Sequence, residues 1–200
     1  MQVNELDIEG CFEFTPEVYR DHRGLFSSPY QDNPFVEGVG KSIFPVRDIS
    51  YNISDRGVLR GIHFTKVPPG RAKYVYCPTG RVNDYLVDLR IGSPTFGEWR
   101  VAELSGENPK SLMIPDGVGH AFLALEPNSM LVYVMAGGYV PEHEYAISPF
   151  DPEVGLEIPE GYDIAQSERD RAAPTLAQAR ELGMLPDYEA CKQVEAELWR

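Results

Sequence analysis

From residue 72 onward the chain repeats one pattern: a short run rich in apolar, β-branched and aromatic residues, then Gly or Pro. Residues 72–77 end at Pro78-Thr79-Gly80, and 82–90 at Gly92-Ser93-Pro94. Residues 99–104 end at Ser105-Gly106, and 111–114 at Pro115-Asp116-Gly117. Residues 120–125 end at Glu126-Pro127-Asn128, and 130–136 at Gly137-Gly138. Strands about every ten residues with turn formers between them predict an all-β barrel or sandwich. Nearer the start the runs are shorter. Residues 10–14 and 25–28 read as strands, the second preceded by a turn at Asp21-His22-Arg23-Gly24. Residues 31–35 suit a short helical or irregular piece ending near Pro34. No helical period is legible before residue 165.

The tail changes character. Residues 174–182 are helix formers with Pro174 at the start and Gly183 just past the end. Residues 186–199 predict a second helix, acidic and amphipathic. The expected organisation is one β domain over 1–165, N-terminal strands included. A C-terminal segment, 166–200, then lays two short helices on the same domain.

One run differs from the rest: Gly57-Val58-Leu59-Arg60-Gly61-Ile62-His63-Phe64. It is a strand by composition, yet it holds a cation and an imidazole. Strict alternation puts Leu59, Gly61 and His63 on one face and Val58, Arg60, Ile62 and Phe64 on the other. Arg60 and His63 then cannot share a pocket. A bulge would flip the parity, and Gly61 lies between them where a bulge is cheapest. The run alone leaves two readings open. Arg60 is a surface cation and His63 a satisfied core histidine, or both line a pocket, because charged groups are rarely buried unpaired.

The chain's 200 residues suffice for one full core. A net charge of −13 argues against nucleic acid as the main partner, since phosphate neutralisation needs a basic face. One anionic small molecule in a locally basic pocket stays compatible with it. The N-terminus lacks the basic and apolar regions of a signal peptide, and no run has transmembrane length. Cys11, Cys77 and Cys191 are scattered and odd in number, which suits reduced thiols in the cytoplasm.

Several polar residues sit within or beside apolar runs. Lys73 in an edge strand would deter aggregation; in a pocket it is a fixed charge for a developing oxyanion. Tyr133, flanked by Val132 and Val134, suits a core position with its hydroxyl paired. His120 opens a strand, and Asp170 lies in a charged stretch. The four histidines are isolated, without the clustered pattern of a strand-borne metal site. Gly-x-Ser-x-Gly, P-loop and dinucleotide patterns are missing from the sequence.

Taken in order, five motifs resemble one known family. They are Asp21-x-Arg23-Gly24-x-Phe26; residues 57–64; Val87-Asp88-Leu89-Arg90-x-Gly92-Ser93-Pro94-Thr95-Phe96-Gly97; Ile114-Pro115-x-Gly117-x-Gly119-His120-Ala121-Phe122; and Tyr139-x-Pro141-Glu142-x-Glu144. This set is similar to the signature of the dTDP-4-dehydrorhamnose 3,5-epimerase family, over about residues 10–170. The resemblance implies a cupin-like jelly roll (a double-stranded β-helix), a homodimer, a dTDP-4-keto-6-deoxyhexose substrate, and neither metal nor other cofactor. It implies His63 as catalytic base, Asp170 as its partner, Lys73 near the 4-keto oxygen and Tyr133 as acid on the opposite face. It implies Arg60 at the diphosphate and His120 in the pocket. Arg23 and Phe26 would meet the nucleotide across the dimer. Tyr139, Glu144 and Arg169 are weaker binding positions.

Departures from the family pattern fall at binding positions. The family usually has Glu where Ser28 stands, and Gln-x-Asn-x-Ser where this chain has Asp48-x-Ser50-x-Asn52. The expected activity is therefore inversion at C3, and at C5 in the full reaction, with a C3-only epimerase of an antibiotic-sugar pathway as the alternative. A cupin-like 3,4-ketoisomerase and a non-catalytic sugar-nucleotide-binding jelly roll are the other readings.

Overall fold

A computed structural model describes residues 1–198. Its strands form two antiparallel sheets and a separate hairpin. The first sheet runs in the order β1 (Gln2–Glu5), β2 (Phe12–Thr15), β10 (Ser111–Ile114), β7 (Lys73–Thr79), β12 (Ser129–Met135), β5 (Asp48–Ser54). The second runs β13 (Glu144–Ala146), β6 (Leu59–Thr65), β11 (Val118–Ala124), β8 (Arg81–Asp88), β9 (Trp99–Ser105). Strands remote in sequence are neighbours in both sheets, as in a jelly roll. The hairpin is β3 (Val18–Asp21) with β4 (Gly24–Ser27). Its first strand and β1 carry too few apolar residues to stand out in the sequence; pairing creates them.

Alternation decides what each strand contributes. On β8, Val82 and Leu86 point between the sheets, while Tyr85 and Val87 join a cluster on the outer side. The inner cluster also takes Val75 and Cys77 of β7, Val118 and Phe122 of β11, and Leu131 of β12. On the outer side, Leu59, Ile62, Phe64, Ala121 and Leu123 pack against Ile147, Leu176 and Ala179. Both faces of the second sheet are thus covered. That is why its strands read as nearly continuous apolar runs. Every residue of β11 is buried.

Helices cover the outside. Helix α1 (Asp32–Val39) seats Phe35 against Phe14 and Tyr74. The short helical or irregular piece expected over residues 31–35 is thus a helix that continues to Val39 and does not end near Pro34. Pro34 falls in the first helical turn, where a missing N–H costs no hydrogen bond, so it opens the helix instead of ending it. Helix α2 (Glu168–Arg171) was not anticipated as an element: its four residues are too few for a period, and the Ser167 hydroxyl caps it. Helix α3 (Leu176–Glu181) starts in a capping box between Thr175 and Gln178. Helix α4 (Tyr188–Leu198) follows; Trp199, included in its expected range, lies outside the described residues. None of the helices among the described residues is long and apolar enough to cross a membrane.

Leu176 and Ala179 of α3 are fully buried in the outer cluster with Ile62 and Phe64. A fully buried side chain of leucine size stabilises by roughly 1.5–3 kcal/mol. This contact holds the segment that carries Asp170 against β6.

The pairing of β6 with β11 contains the bulge. His120 opposes His63 and Phe122 opposes Arg60, so two steps along β11 face three steps along β6. The extra residue turns Arg60 and His63 toward one side, while Leu59, Ile62 and Phe64 pack outward. Gly61 has φ of +107°, and a Cβ there would lie 2.5 Å from the His120 carbonyl oxygen. Both constraints demand glycine. Gly61→Ala should lower stability by about 2–3 kcal/mol in urea unfolding. It should also displace His63 from its partners. A variant as stable as the wild type would show that the bulge tolerates a side chain.

Candidate active site

One cavity of about 310 Å³ opens between the sheets, near the small end of ligand pockets. His63 and Arg60 reach it from β6, and His120 and Phe122 from β11. Lys73 enters from β7, Tyr133 and Met135 from β12, and Asp48, Ser50 and Asn52 from β5. Tyr139, Glu144, Arg71 and Arg169 complete the lining. His63 and Tyr133 therefore approach from opposed sheets, with Lys73 on the same sheet as the tyrosine.

Asp170 stands behind the histidine. Its Oδ1 lies 2.6 Å from His63 Nε2, and the residue is 4% exposed. A proton on Nε2 shared with Asp170 leaves Nδ1 as the ring's basic nitrogen. Burial works against the Asp170 charge. The His63 hydrogen bond and charge, the Ser167 hydroxyl and the Gly61 N–H outweigh it and hold the carboxyl below its ordinary value of 3.8.

A second pair lies on the same sheet, one strand further along. His120 Nε2 is 2.9 and 2.8 Å from the two oxygens of Asp84, which is fully buried. Burial raises the Asp84 pKa; the charges of His120 and Lys73 pull against that rise. His120 and Tyr133 meet edge to face at 5.8 Å.

Lys73 is 8% exposed. Burial lowers its pKa, partly offset by the Glu144 carboxylate, while Arg71 adds to the lowering. Burial and the Asp84 charge raise the Tyr133 pKa, against the Asn52 hydrogen bond and the Arg60 charge, so the phenol is neutral at pH 7. Arg71 bonds Asp48 at 2.8 Å, Glu144 at 3.4 Å and the Gly137 carbonyl at 2.9 Å. The Arg169 guanidinium donates to the Glu144 carbonyl at 3.0 Å. A chain of net charge −13 thus gathers four basic side chains, Arg60, Lys73, Arg71 and Arg169, around one cavity.

The fold gathers His63, Lys73, Tyr133, Arg60, His120, Asp48, Ser50, Tyr139, Glu144 and Arg169 into one lining, with Asp170 behind. Arg23, Phe26 and Ser28 are not brought there by the single chain. Arg23 pairs with Asp21 at 2.6 Å on the exposed hairpin, and Phe26 is 65% exposed. Ser28 borders a separate groove with Pro29, Tyr30 and Tyr76.

Sequence reasoning passed over Arg71 and Asp84, and it set Asn52 among the departures at binding positions without a role of its own. A signal existed for two of them. Arg71 is two residues from Lys73, which alternation places on the same side. Asp84 is a carboxylate amid Val82, Tyr85, Leu86 and Val87 of a strand, which needs a partner if buried.

A family profile described as dTDP-4-dehydrorhamnose 3,5-epimerase matches residues 5–178. The chain belongs to that family. It is 43% identical over 192 residues to a dTDP-4-dehydrorhamnose 3,5-epimerase of Mycolicibacterium smegmatis, covering 96% of this chain and 94% of the relative. It is 41% identical over 191 residues to a dTDP-4-dehydro-6-deoxyglucose 3-epimerase of a Streptomyces species, covering 96% and 97%. The crystal structure of NovW, a 4-keto-6-deoxy sugar epimerase from the novobiocin cluster of Streptomyces spheroides, matches with a TM-score of 0.91 at 41% identity, covering 96% of this chain and 95% of that one. The structure of ChmJ, a 3'-monoepimerase from Streptomyces bikiniensis, in complex with dTDP-quinovose, matches at 0.91 and 40% identity over 98% of both chains. Cupin-like jelly-roll architecture is thereby shared across the family.

The lowered pKa of Asp170 carries a stability prediction. The unfolded chain takes up this proton at a higher pH than the folded one. The stabilisation is therefore present above the ordinary value of 3.8 and is lost as pH falls through the lower folded value. Wild type should lose more stability than Asp170→Asn between about pH 5 and 2, read as urea midpoints. Parallel curves would show that the pairing adds nothing to stability.

Proposed function

We propose that this protein epimerises a dTDP-linked 4-keto-6-deoxyhexose in deoxysugar biosynthesis. The observation that carries the reading is the placement of His63 and Tyr133 on opposed sheets around one cavity, with buried Lys73 beside the phenol. Family membership supports the substrate class.

A 4-keto group acidifies the C–H bonds at C3 and C5, because loss of either proton gives an enolate. Nδ1 of His63 takes the proton, and Asp170 stabilises the imidazolium that forms. The Lys73 ammonium faces the charge growing on the 4-oxygen, the largest single electrostatic contribution. The Tyr133 hydroxyl returns a proton on the other face. One proton leaves the sugar, one arrives, and exchange with solvent resets both groups. No redox change occurs. Arg60 offers a planar fork for diphosphate oxygens.

The working form is a homodimer. Ile49, Tyr51 and Ile53 of edge strand β5 are 65%, 68% and 53% exposed, an apolar row on a strand that would otherwise invite pairing. A second copy covering that row would let its hairpin bring Arg23 and Phe26 toward the nucleotide end of the pocket. The three free cysteines suit a reducing cytoplasm.

Inversion at C3 alone is a second reading. It is favoured by the cavity-lining positions of Asp48, Ser50 and Asn52, where the chain departs from the family pattern. Proton NMR of the dTDP-4-keto-6-deoxyglucose reaction in D2O decides between the two. Deuterium should enter and the centre invert at C3. Equally fast loading and inversion at C5 would refute the C3-only reading, and a carbonyl moved to C3 would replace epimerisation by ketoisomerisation.

His63→Ala should lower the rate by roughly 10²–10⁴-fold or more while dTDP-sugar binding changes little. Lys73→Met should cost roughly 10²–10³-fold in kcat. Wild type that binds the sugar nucleotide yet exchanges no ring proton would leave a binding protein instead of an enzyme.

A further inference from the structure

The Tyr133 hydroxyl is held by a chain of hydrogen bonds that starts at the cation Arg60. Arg60 Nε–H donates to Ser54 Oγ at 3.3 Å. The Ser54 hydroxyl donates to Asn52 Oδ1 at 3.2 Å. Asn52 Nδ2–H donates to Tyr133 Oη at 3.0 Å. Asn52 and Ser54 sit two apart on β5, so both point the same way, and β5 pairs with β12 beside Tyr133.

The direction of these bonds follows from the donors. A guanidinium only donates, so Ser54 must accept from Arg60. Ser54 is 2% exposed, and its own proton needs an acceptor that is not water. The Asn52 amide oxygen is that acceptor. This fixes the amide orientation and leaves Nδ2 for the tyrosine. Tyr133 Oη consequently receives a hydrogen bond from behind, and its own proton is free to face the cavity.

We infer that Asn52, oriented through Ser54 by Arg60, is a positioning residue that aims the Tyr133 proton at the substrate carbon. The inference rests on the epimerase reading and adds a residue to it. It also links the two ends of the substrate. The cation set to hold the diphosphate is the first donor of the chain that orients the proton donor at the sugar.

The consequence is separable from general damage to the pocket. Proton removal belongs to His63 on the other sheet and does not use this chain. When Tyr133 is misaimed, His63 still takes a proton and returns a solvent one to the same face. Exchange then continues while inversion fails.

The test compares C3 deuterium incorporation with C3 inversion in D2O for wild type, Asn52→Leu, Asn52→Asp and Ser54→Ala. Asn52→Asp keeps the shape but can only accept, so it turns the Tyr133 proton away from the cavity. Asn52→Leu should lose roughly ten- to a hundredfold in inversion and about threefold or less in exchange. Asn52→Asp should show the same split or a larger one, and Ser54→Ala a smaller one. Retained dTDP affinity identifies folded variants, and the isosteric Asn52→Asp carries the test should Asn52→Leu fail to fold. Variants that lower exchange and inversion by one common factor, or neither, overturn the inference and leave the epimerase reading intact. A wild type with neither exchange nor inversion overturns both.

Discussion

One inserted residue sets up the chemistry of this protein. A regular strand would send Arg60 and His63 to opposite faces of the second sheet. The bulge at Gly61 turns both inward while keeping Leu59, Ile62 and Phe64 in the outer cluster. The same backbone supplies the Gly61 N–H that helps hold Asp170 ionised. The placement of His63, Arg60 and the Asp170 carboxylate behind the imidazole thus depends on a position where a Cβ would strike the neighbouring strand.

In the proposed reaction the two sheets divide the proton work. The second sheet carries the base and, through packing of α3, the carboxylate behind it. The first carries the phenol and the ammonium. A planar enolate needs proton removal from one face and delivery to the other, and a sandwich offers two opposed walls without any moving part. Burial does the tuning. It keeps Tyr133 neutral, lowers the Lys73 pKa and raises that of Asp84, while hydrogen bonds hold Asp170 charged against the same desolvation.

Charge follows a similar division between surface and cavity. The surface is strongly acidic, while Arg60, Lys73, Arg71 and Arg169 converge on the cavity. Neutralising carboxylates, Asp48 and Glu144, are bonded to Arg71 and leave Arg60 and Lys73 facing the space. The apolar row Ile49, Tyr51 and Ile53 on β5 and the hairpin residue Phe26 stay exposed in one chain, which is the observation behind the proposed dimer.

The sequence by itself determined the β architecture, because strands punctuated by Gly and Pro every few residues leave no other class. It also determined which residue types were available for chemistry and, through five ordered motifs, the family. It placed a bulge at Gly61 as the condition for a shared pocket, since period-two alternation admits no alternative. The extent of helix α1 escaped it because Pro34 opens a helix as readily as it ends one. Only the tertiary structure decided that Asp84 lies against His120, that Arg71 joins the lining, and that Asn52 reaches Tyr133. Those contacts join strands that are far apart in the chain, and no local period records which strand will lie beside which. The hairpin residues Arg23 and Phe26 mark the same boundary, for the fold of the single chain leaves them exposed and away from the cavity.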